Sequence, residues 1–349
     1  MSQNIIISHD LKSDINAAVS SHFYDKTFII ADETTARLCL PLIADIESLK
    51  GADIITIPSS DINKSLDTVT HVWKSLGNMG ATRHSCVINV GGGMVTDLGA
   101  FAASTFKRGI DFYNIPTTLL AMVDASVGGK TGFNFNGLKN EIGVFNEART
   151  VIISTDFLRT LDSANICSGY AEMLKHALIN NIEMLAEHIN YDILTPDLQQ
   201  LKQMIAESIN VKEHIVTEDP HEQGIRKALN LGHTIGHAFE SMSLKTAQPL
   251  LHGYAVAFGM VCELYLSCIK CNFPTDIMRQ TVKYIKENYG SFVFTCEQYE
   301  SLYELMTHDK KNTAGTINFT LLGNVGDIKI NQTATKEEVF EALDFLREG

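Results

Sequence analysis

The sequence predicts an α/β domain of parallel strands over residues 1–155 and an all-α domain over residues 156–349. Short β-branched runs recur through the first domain with segments of helical length between them, which favours a parallel sheet with helical crossovers. After about Asp156 the pattern becomes helical almost to the C-terminus, with one short hairpin expected at Thr316–Leu322 and Asp327–Ile330. A chain of 349 residues is long enough for two such cores.

Five apolar runs are the expected strands of the first domain: Phe28–Ala31, Ile54–Pro58, Cys86–Val90, Phe112–Ile115 and Val151–Ser154. Gly91, Gly92 and Gly93 come directly after the third run. Glycines let a backbone approach a pyrophosphate closely, and the helix expected next offers free N–H groups. The stretch therefore predicts a Rossmann-like nucleotide-binding domain. Its spacing is not Gly-x-Gly-x-x-Gly, and a tight strand-to-helix turn without a ligand is the alternative reading.

Polar residues also follow the first two strands, at the carboxyl ends where parallel sheets bind ligands. Asp32 could accept hydrogen bonds from a ribose, and Asp61 and Lys64 could serve an adenosine end. Each of the three, taken singly, also fits a surface turn.

Composition excludes several classes of function. The formal net charge of −13 argues against nucleic acid as a partner, and it requires a local basic cluster for any anionic substrate. No stretch approaches the run of about 20 apolar residues that a membrane span needs, and Met1–Asp10 lacks a signal-peptide pattern. The seven scattered cysteines do not suggest a disulfide framework. We therefore expect a cytoplasmic protein that binds no membrane.

A glycine-rich loop is expected between the fourth and fifth strands, and it carries Asp124, Lys130, Lys139 and Asn140. Its Gly-Gly-Lys-Thr segment is not a P-loop, because Asp124 stands where that motif needs its first glycine. Lysines suit phosphate, and carboxylate and amide groups suit hydroxyls. This mixture indicates a phosphorylated, polyhydroxylated substrate.

Histidines and a glutamate suggest a metal site in the helical domain. His233 and His237 are four residues apart, so they share a helix face, although such a pair also fits a hydrogen-bonded core. Glu172 and His252 add two possible ligands, and Lys175 shares a helix face with Glu172. One carboxylate with two imidazoles and an open position is typical of a catalytic zinc or a similar ion. Because there are four candidate ligands for three ligand positions, one histidine is left for proton transfer.

Taken in order over roughly positions 28–325, these motifs closely resemble the 3-dehydroquinate synthase family of the shikimate pathway. The matching pieces are Gly91–Gly93 with Asp97, Arg108-Gly109, Pro116–Leu120, Val123-Asp124, Gly128–Thr131, Lys139-Asn140, Ala171-Glu172 with Lys175, Lys212, Arg226, Asn230–His233, Gly236-His237, His252-Gly253 and Asp309–Lys311.

The resemblance implies an NAD-binding domain, a helical domain, a site in the cleft between them and a homodimer. It implies that Glu172, His233 and His252 hold zinc or cobalt, which leaves His237 as the free histidine. The substrate would be 3-deoxy-D-arabino-heptulosonate 7-phosphate. NAD would oxidise a ring hydroxyl, phosphate would leave by elimination, and the NADH formed would reduce the ketone again. Ring opening and aldol closure would then give 3-dehydroquinate.

The same resemblance assigns roles to individual residues. His237 and Lys175 would serve the proton transfers, and Arg226 would bind the substrate carboxylate. The phosphate end would be held by Lys130, Asn140 and Lys310, with Arg108 of the partner subunit. Lys212, Asn230 and Asp124 would complete the polar lining. The implied NAD contacts are Asp32, Asp61, Lys64, Gly92, Gly93, Asp97, Thr117, Thr118, Lys130, Lys139 and Thr160.

The sequence departs from the family pattern at three places, of which the first two concern loop shape and the surroundings of the metal. The loop before Lys139 usually has His-Pro and a glycine, where this sequence has Phe135, Asn136 and Leu138. Tyr254 replaces a usual glutamate after His252-Gly253, and Asp61 replaces a usual glutamate at the adenosine end. Three rival functions are considered: a related sugar phosphate cyclase, a glycerol-type metal-dependent dehydrogenase, and a non-catalytic NAD-binding protein. The retained set of Arg226, Asn230, His237 and Lys310 favours the synthase.

Overall fold

The computed structural model describes residues 3–136, 138–244, 246, 248–307 and 316–348. The chain forms two compact units: the first comprises Met1–Asp162 with Leu198–Ile209, and the second comprises Ser163–Asp197 with Asn210–Gly349. The boundary after residue 155 stays a prediction. The first unit extends to Asp162 and also includes a segment from the middle of the chain.

The first unit alternates strands and helices. Its strands are β1 (Ile5–Ile7), β2 (Thr27–Asp32), β3 (Asp53–Ile57), β4 (Cys86–Gly91), β5 (Asp111–Pro116), β6 (Lys130–Phe135), β7 (Leu138–Phe145) and β8 (Thr150–Ile153). Its complete helices are α1 (Leu11–Ser20), α2 (Glu33–Leu38), α3 (Leu66–Asn78) and α4 (Gly93–Thr105). Helix α7 (Leu198–Glu218) contributes its first residues to this unit and its last residues to the other.

Six of these strands form one parallel sheet in the order β1-β8-β5-β4-β2-β3. All five expected strands are present, and each bound lies within one residue of the expected one. The edge strand β1 was missed, because three apolar residues near the terminus are too short a signal. Strand β4 is buried along its whole length, as a central strand covered by helices on both faces should be.

The expected glycine-rich loop is instead largely an antiparallel hairpin, in which β6 pairs with β7. Gly132 and Gly143 lie opposite each other there, and a Cβ on Gly132 would come within 2.4 Å of the carbonyl oxygen of Ile142. The glycines thus permit close approach of two strands. Sequence reasoning was wrong here because glycine is more often a turn residue than a strand residue.

The second unit is helical, which confirms the predicted fold class. Its helices are α5 (Ser163–Asn180), α6 (Ile182–Asn190), α8 (His233–Ser243), α9 (His252–Cys271), α10 (Thr275–Tyr289), α11 (Tyr299–Thr307) and α12 (Lys336–Glu348). Strands β9 (Phe319–Asn324) and β10 (Asp327–Gln332) form the expected hairpin.

Helix α9 is the centre of the second unit. It packs against α5, α8, α10 and α12. Although no membrane span was expected, this helix of 20 residues is long and apolar enough to cross a membrane by length and composition alone, but 67% of the 18-residue window that meets this criterion is buried inside the protein. Glycines allow the close packing: a Cβ on Gly253 would lie 1.8 Å from the carbonyl oxygen of Ser168 on α5, and one on Gly259 would lie 2.0 Å from that of Gly232.

Candidate functional site

In the first unit, polar residues gather at the carboxyl edge of the sheet where the strand order reverses between β2 and β4. Such a switch point is the usual ligand crevice of an open α/β sheet. Asp32 ends β2 and caps α2: its Oδ1 accepts hydrogen bonds from the backbone N–H groups of Thr34 at 2.8 Å and Thr35 at 3.1 Å. It also accepts from the hydroxyl of Ser59 at 2.9 Å.

Helix α4 begins at the same edge, directly after β4. Gly92 precedes its first residue, and no side chain caps this end. A Cβ on Gly92 would meet Thr118 Cγ2 at 3.0 Å, and one on Gly93 would meet Ala125 Cβ at 3.1 Å. The glycines therefore keep the helix N-terminus close to the segment after β5. That segment begins with Thr117, whose backbone N–H donates to Gly91 at 2.9 Å.

Lys64 joins two of the expected site residues. Its buried ammonium lies 2.5 Å from Oδ2 of Asp97 on α4 and 2.5 Å from Oδ1 of Asn140 on β7. Asn140 adopts a left-handed backbone with φ of 50°, and its N–H donates to Asn134 at 3.0 Å. Lys139, next to it, forms an ion pair with Asp61 at 3.0 Å. Hydrogen bonds and ion pairs thus connect the expected nucleotide-binding residues of this unit with Asn140, an expected substrate-binding residue.

The remaining expected residues of the first unit lie as follows. Asp124 is half-buried in a π-helical turn over Ala121–Ala125, and Lys130 is exposed at the start of β6. Thr118 accepts from the N–H of Ala121 at 3.1 Å. Thr160 donates to the carbonyl of Phe157 at 2.7 Å. Arg108 is exposed and has a φ of 74°.

In the second unit, α5, α8 and α9 bring the expected metal ligands together. Glu172 is fully buried on α5, and its Oε1 lies 3.4 Å from Nε2 of His233 and 3.4 Å from Nε2 of His252. The two histidines are the first residues of α8 and α9. The three donor atoms lie within 4.8 Å of one another.

These residues fit a divalent metal. Oε1 of Glu172 is buried and has no hydrogen-bond partner among the described residues, and a buried carboxylate oxygen normally needs a partner. Donor atoms bound about 2.1 Å from a tetrahedral ion lie about 3.4 Å apart. Nδ1 of His233 lies 3.1 Å from the carbonyl oxygen of Leu231, which can only accept, so Nε2 is the nitrogen available to a metal.

Charges around Glu172 keep it ionised. Burial alone would raise the pKa of its carboxyl, but the ammonium of Lys175 and the imidazole of His252 outweigh burial and hold that pKa well below its usual range. Burial likewise lowers the pKa of His252, but the carboxylates of Glu240 and Glu172 outweigh burial and raise that pKa to about 10 in the metal-free protein.

His237 lies beside both ligand histidines, with ring centroids 5.3 Å from His233 and 6.0 Å from His252. His237, Glu240 and His252 form a second group of possible ligands. That group would use Nδ1 of His252, which lies 3.5 Å from Glu240 and points away from Glu172. A carboxylate on the far nitrogen is typical of a group that orients a metal-bound histidine. The Glu172 group is therefore the better metal site.

Three further expected residues are basic or polar groups of the second unit. Lys212 on α7 and Arg226 are both buried, and Arg226 donates to the carbonyl of Pro220 at 2.6 Å. Asn230 donates to Glu222 at 2.8 Å. Lys310 lies outside the described residues.

Sequence reasoning missed two buried carboxylates beside the metal ligands. Glu240 is three residues after His237 on the same helix face, and this spacing could have indicated it. Glu263 lies on α9 and accepts hydrogen bonds from the first turn of α8. No local pattern indicates Glu263, because its partners lie on a different helix.

The fold and site define a two-unit protein, with a parallel sheet and a glycine turn in one unit and a candidate Glu-His-His metal cluster in the other. The structure matches 2-deoxy-scyllo-inosose synthase in complex with carbaglucose-6-phosphate, NAD⁺ and Co²⁺, with a TM-score of 0.85 and 23% identity over 99% of this chain and 96% of that one. It matches the Streptomyces hygroscopicus 2-epi-5-epi-valiolone synthase, with NAD⁺ and Zn²⁺ bound, with a TM-score of 0.84 and 23% identity over 99% and 97%.

Sequence comparison identifies the family. The model of the 3-dehydroquinate synthase N-terminal domain matches residues 54–168, and that of the C-terminal domain matches residues 169–312. The 3-dehydroquinate synthase of Parabacteroides distasonis is 55% identical over 99% of this chain and 98% of its own length. The chain belongs to the 3-dehydroquinate synthase family.

Proposed function

We propose that this chain converts 3-deoxy-D-arabino-heptulosonate 7-phosphate into 3-dehydroquinate and inorganic phosphate, as a carbon–oxygen lyase of the shikimate pathway and aromatic amino acid biosynthesis. NAD and one divalent ion, zinc or cobalt, are its cofactors. The observation that carries this proposal is the Glu172–His233–His252 cluster, with a fully buried carboxylate, in a chain of this family.

When bound, NAD supplies a hydride acceptor that returns its hydride within one cycle, and the metal supplies Lewis-acid chemistry at the substrate oxygens. Glu172, His233 and His252 hold the metal. Lys175 holds the second oxygen of Glu172 and keeps this carboxylate ionised. His237, whose ring lies beside both ligand imidazoles, takes and returns a proton at the substrate hydroxyl, and Lys175 is the second proton-transfer group.

Basic residues give a net-acidic protein its affinity for an anionic substrate. Arg226 binds the substrate carboxylate, because a guanidinium presents two parallel N–H donors to a carboxylate. The phosphate end is held by Lys130, Asn140 and Lys310 together with Arg108 of the partner subunit. Lys212, Asn230 and Asp124 line the site and bind hydroxyls.

The carboxyl edge of the parallel sheet binds NAD. The N-terminus of α4 and the glycines before it receive the pyrophosphate, since free N–H groups and the helix dipole favour an anion there. Asp32 accepts hydrogen bonds from a ribose of NAD, and Asp61 binds at the adenosine end of the cofactor. The full set of NAD residues is Asp32, Asp61, Lys64, Gly92, Gly93, Asp97, Thr117, Thr118, Lys130, Lys139 and Thr160.

The assembly is a homodimer in the cytoplasm. A homodimer places an exposed Arg108 of each subunit at the site of the other, and sedimentation analysis tests this assembly. All seven cysteines are free, which fits a reducing compartment.

Phosphate release by the zinc-loaded protein tests the reaction. With 3-deoxy-D-arabino-heptulosonate 7-phosphate and NAD below the enzyme concentration, we expect many phosphates per NAD and no accumulation of NADH. Release only from another sugar phosphate would identify a related cyclase. Net NADH from a polyol would identify a dehydrogenase instead.

A further inference from the structure

The two ligand histidines share an arrangement that the metal site alone does not require. His233 begins α8 and His252 begins α9, and each is reached through its Nδ1 side by a buried carboxylate from the other helix. Glu240 of α8 contacts His252 directly, and Glu263 of α9 reaches His233 through a peptide group.

The contact to His252 is direct. Nδ1 of His252 lies 3.5 Å from Oε2 of Glu240, while Nε2 of the same ring lies 3.4 Å from Glu172. Because a carboxylate only accepts, Glu240 keeps a proton on Nδ1 of His252, and Nε2, on the Glu172 side, is the nitrogen left for a metal. Glu240 thereby selects both the tautomer and the ring orientation that a metal requires.

The contact to His233 runs through one peptide group. The carbonyl of Leu231 lies 3.1 Å from Nδ1 of His233, and the N–H of the same peptide, on Gly232, donates to Oε2 of Glu263 at 2.6 Å. A carboxylate on the N–H polarises the peptide, so its carbonyl becomes a stronger acceptor for the imidazole. Glu263 therefore acts on His233 through the Leu231–Gly232 peptide.

Glu263 also holds the start of α8 in place. Its Oε1 accepts from the backbone N–H groups of Thr234 at 3.1 Å and Ile235 at 3.2 Å, and α8 has no side-chain cap of its own. The turn before the helix is tight, because Gly232 has a φ of 79° and a Cβ there would lie 2.5 Å from Met260 Cγ. A buried carboxylate at this position thus fixes the direction in which the side chain of His233 points from α8.

We propose that Glu240 and Glu263 are positioning residues that form a reciprocal brace, each helix orienting the metal ligand at the start of the other. The inference rests on the proposed metal site and deepens it. Glu240 sets His252 directly, and Glu263 sets His233 through a peptide. Neither residue belongs to the proposed metal ligands or to the proposed substrate-binding residues.

Cobalt binding to the metal-free protein tests the brace. Glu240→Gln and Glu263→Gln keep side-chain size but lose the charge, and each should weaken Co²⁺ affinity about 10- to 100-fold in chelator competition. The visible absorption of bound Co²⁺ should change in both, because it reports ligand geometry. Glu263→Asp, which keeps the charge but shortens the reach, carries the same expectation should Glu263→Gln not fold.

Ser267→Ala is the matched control. Ser267 is buried on α9; its hydroxyl donates to the carbonyl of Glu263 and accepts from the N–H of Leu322, and neither of these bonds involves a histidine. It should lower the melting temperature and leave the Co²⁺ affinity and spectrum unchanged. Wild-type affinity and spectrum in both glutamate variants would overturn the brace alone, as would an equal loss of affinity in Ser267→Ala. Absence of Co²⁺ binding by the wild type would overturn the metal site and the brace together.

Discussion

Lys175 donates to one oxygen of Glu172, and the other oxygen of that carboxylate faces the imidazoles of His233 and His252. The two residues are one turn apart on α5, and both are almost completely buried. One oxygen therefore accepts a hydrogen bond within the protein, and the geometry leaves the other for a cation. This division of one carboxylate explains why a lysine lies inside a candidate metal site.

Replacing His233 should remove the metal and the activity together. His233→Ala deletes one of three donors, so we expect loss of bound zinc by elemental analysis and at least a 100-fold fall in phosphate release, as an order-of-magnitude value for a lost ligand. His71→Ala, on α3 of the other unit, is the control and should retain both. Full metal content in the His233 variant would show that the assignment is wrong.

Replacing Lys130 should separate substrate binding from NAD binding. Lys130 is exposed at the start of β6, and we expect Lys130→Ala to raise KM about 10- to 100-fold through loss of a charged contact to phosphate. NAD binding, followed by cofactor fluorescence, should weaken much less, because ten other residues are proposed to bind the cofactor. Lys12→Ala provides a matched surface control, since Lys12 pairs with Asp45 at 2.7 Å. Loss of NAD binding with an unchanged KM for the substrate would show that Lys130 binds the cofactor and not the substrate phosphate.

Replacing Gly253 should disturb the packing that places His252. A Cβ on Gly253 would lie 1.8 Å from the carbonyl of Ser168, so α5 and α9 must separate. We expect Gly253→Ala to destabilise the protein by about 3 kcal/mol and to weaken metal binding. Gly77→Ala on α3 meets nothing within 4 Å and should be neutral or slightly stabilising. Denaturant unfolding with zinc titration measures both, and similar behaviour of the two variants would contradict the packing argument.

The stability of the protein should fall between pH 7 and pH 5 because of His188. Burial lowers the pKa of this histidine from 6.5 to about 4, and its Nε2 is buried without a hydrogen-bond partner among the described residues. Between these values the unfolded chain binds a proton that the folded chain does not, so the stabilisation is complete above 6.5 and declines as the pH falls towards 4.

The expected loss is about 2 kcal/mol from pH 7 to pH 5. His188→Leu removes the titrating group, so its unfolding free energy should change less than that of the wild type over this interval. Urea unfolding at the two pH values measures the difference. An equal change in both proteins would assign the pH dependence to other groups.

The sequence by itself determined the fold class, the central strands and the composition of both candidate sites. These depend on local signals: β-branched runs specify Cys86–Gly91 as a strand, and the four-residue spacing of His233 and His237 places both on one helix face. The expected metal ligands are indeed adjacent in space.

Only the tertiary structure decided how those residues are held. The hairpin of β6 and β7 depends on Gly132 and Gly143 lying opposite each other on the two strands. Local propensity predicts a loop there, because glycine is more often found in turns than in strands. The ion pair of Lys64 with Asp97 and the capping of α8 by Glu263 join residues about 30 positions apart. A local pattern records only neighbours within about one helical turn or one strand pair, so such contacts follow from packing alone.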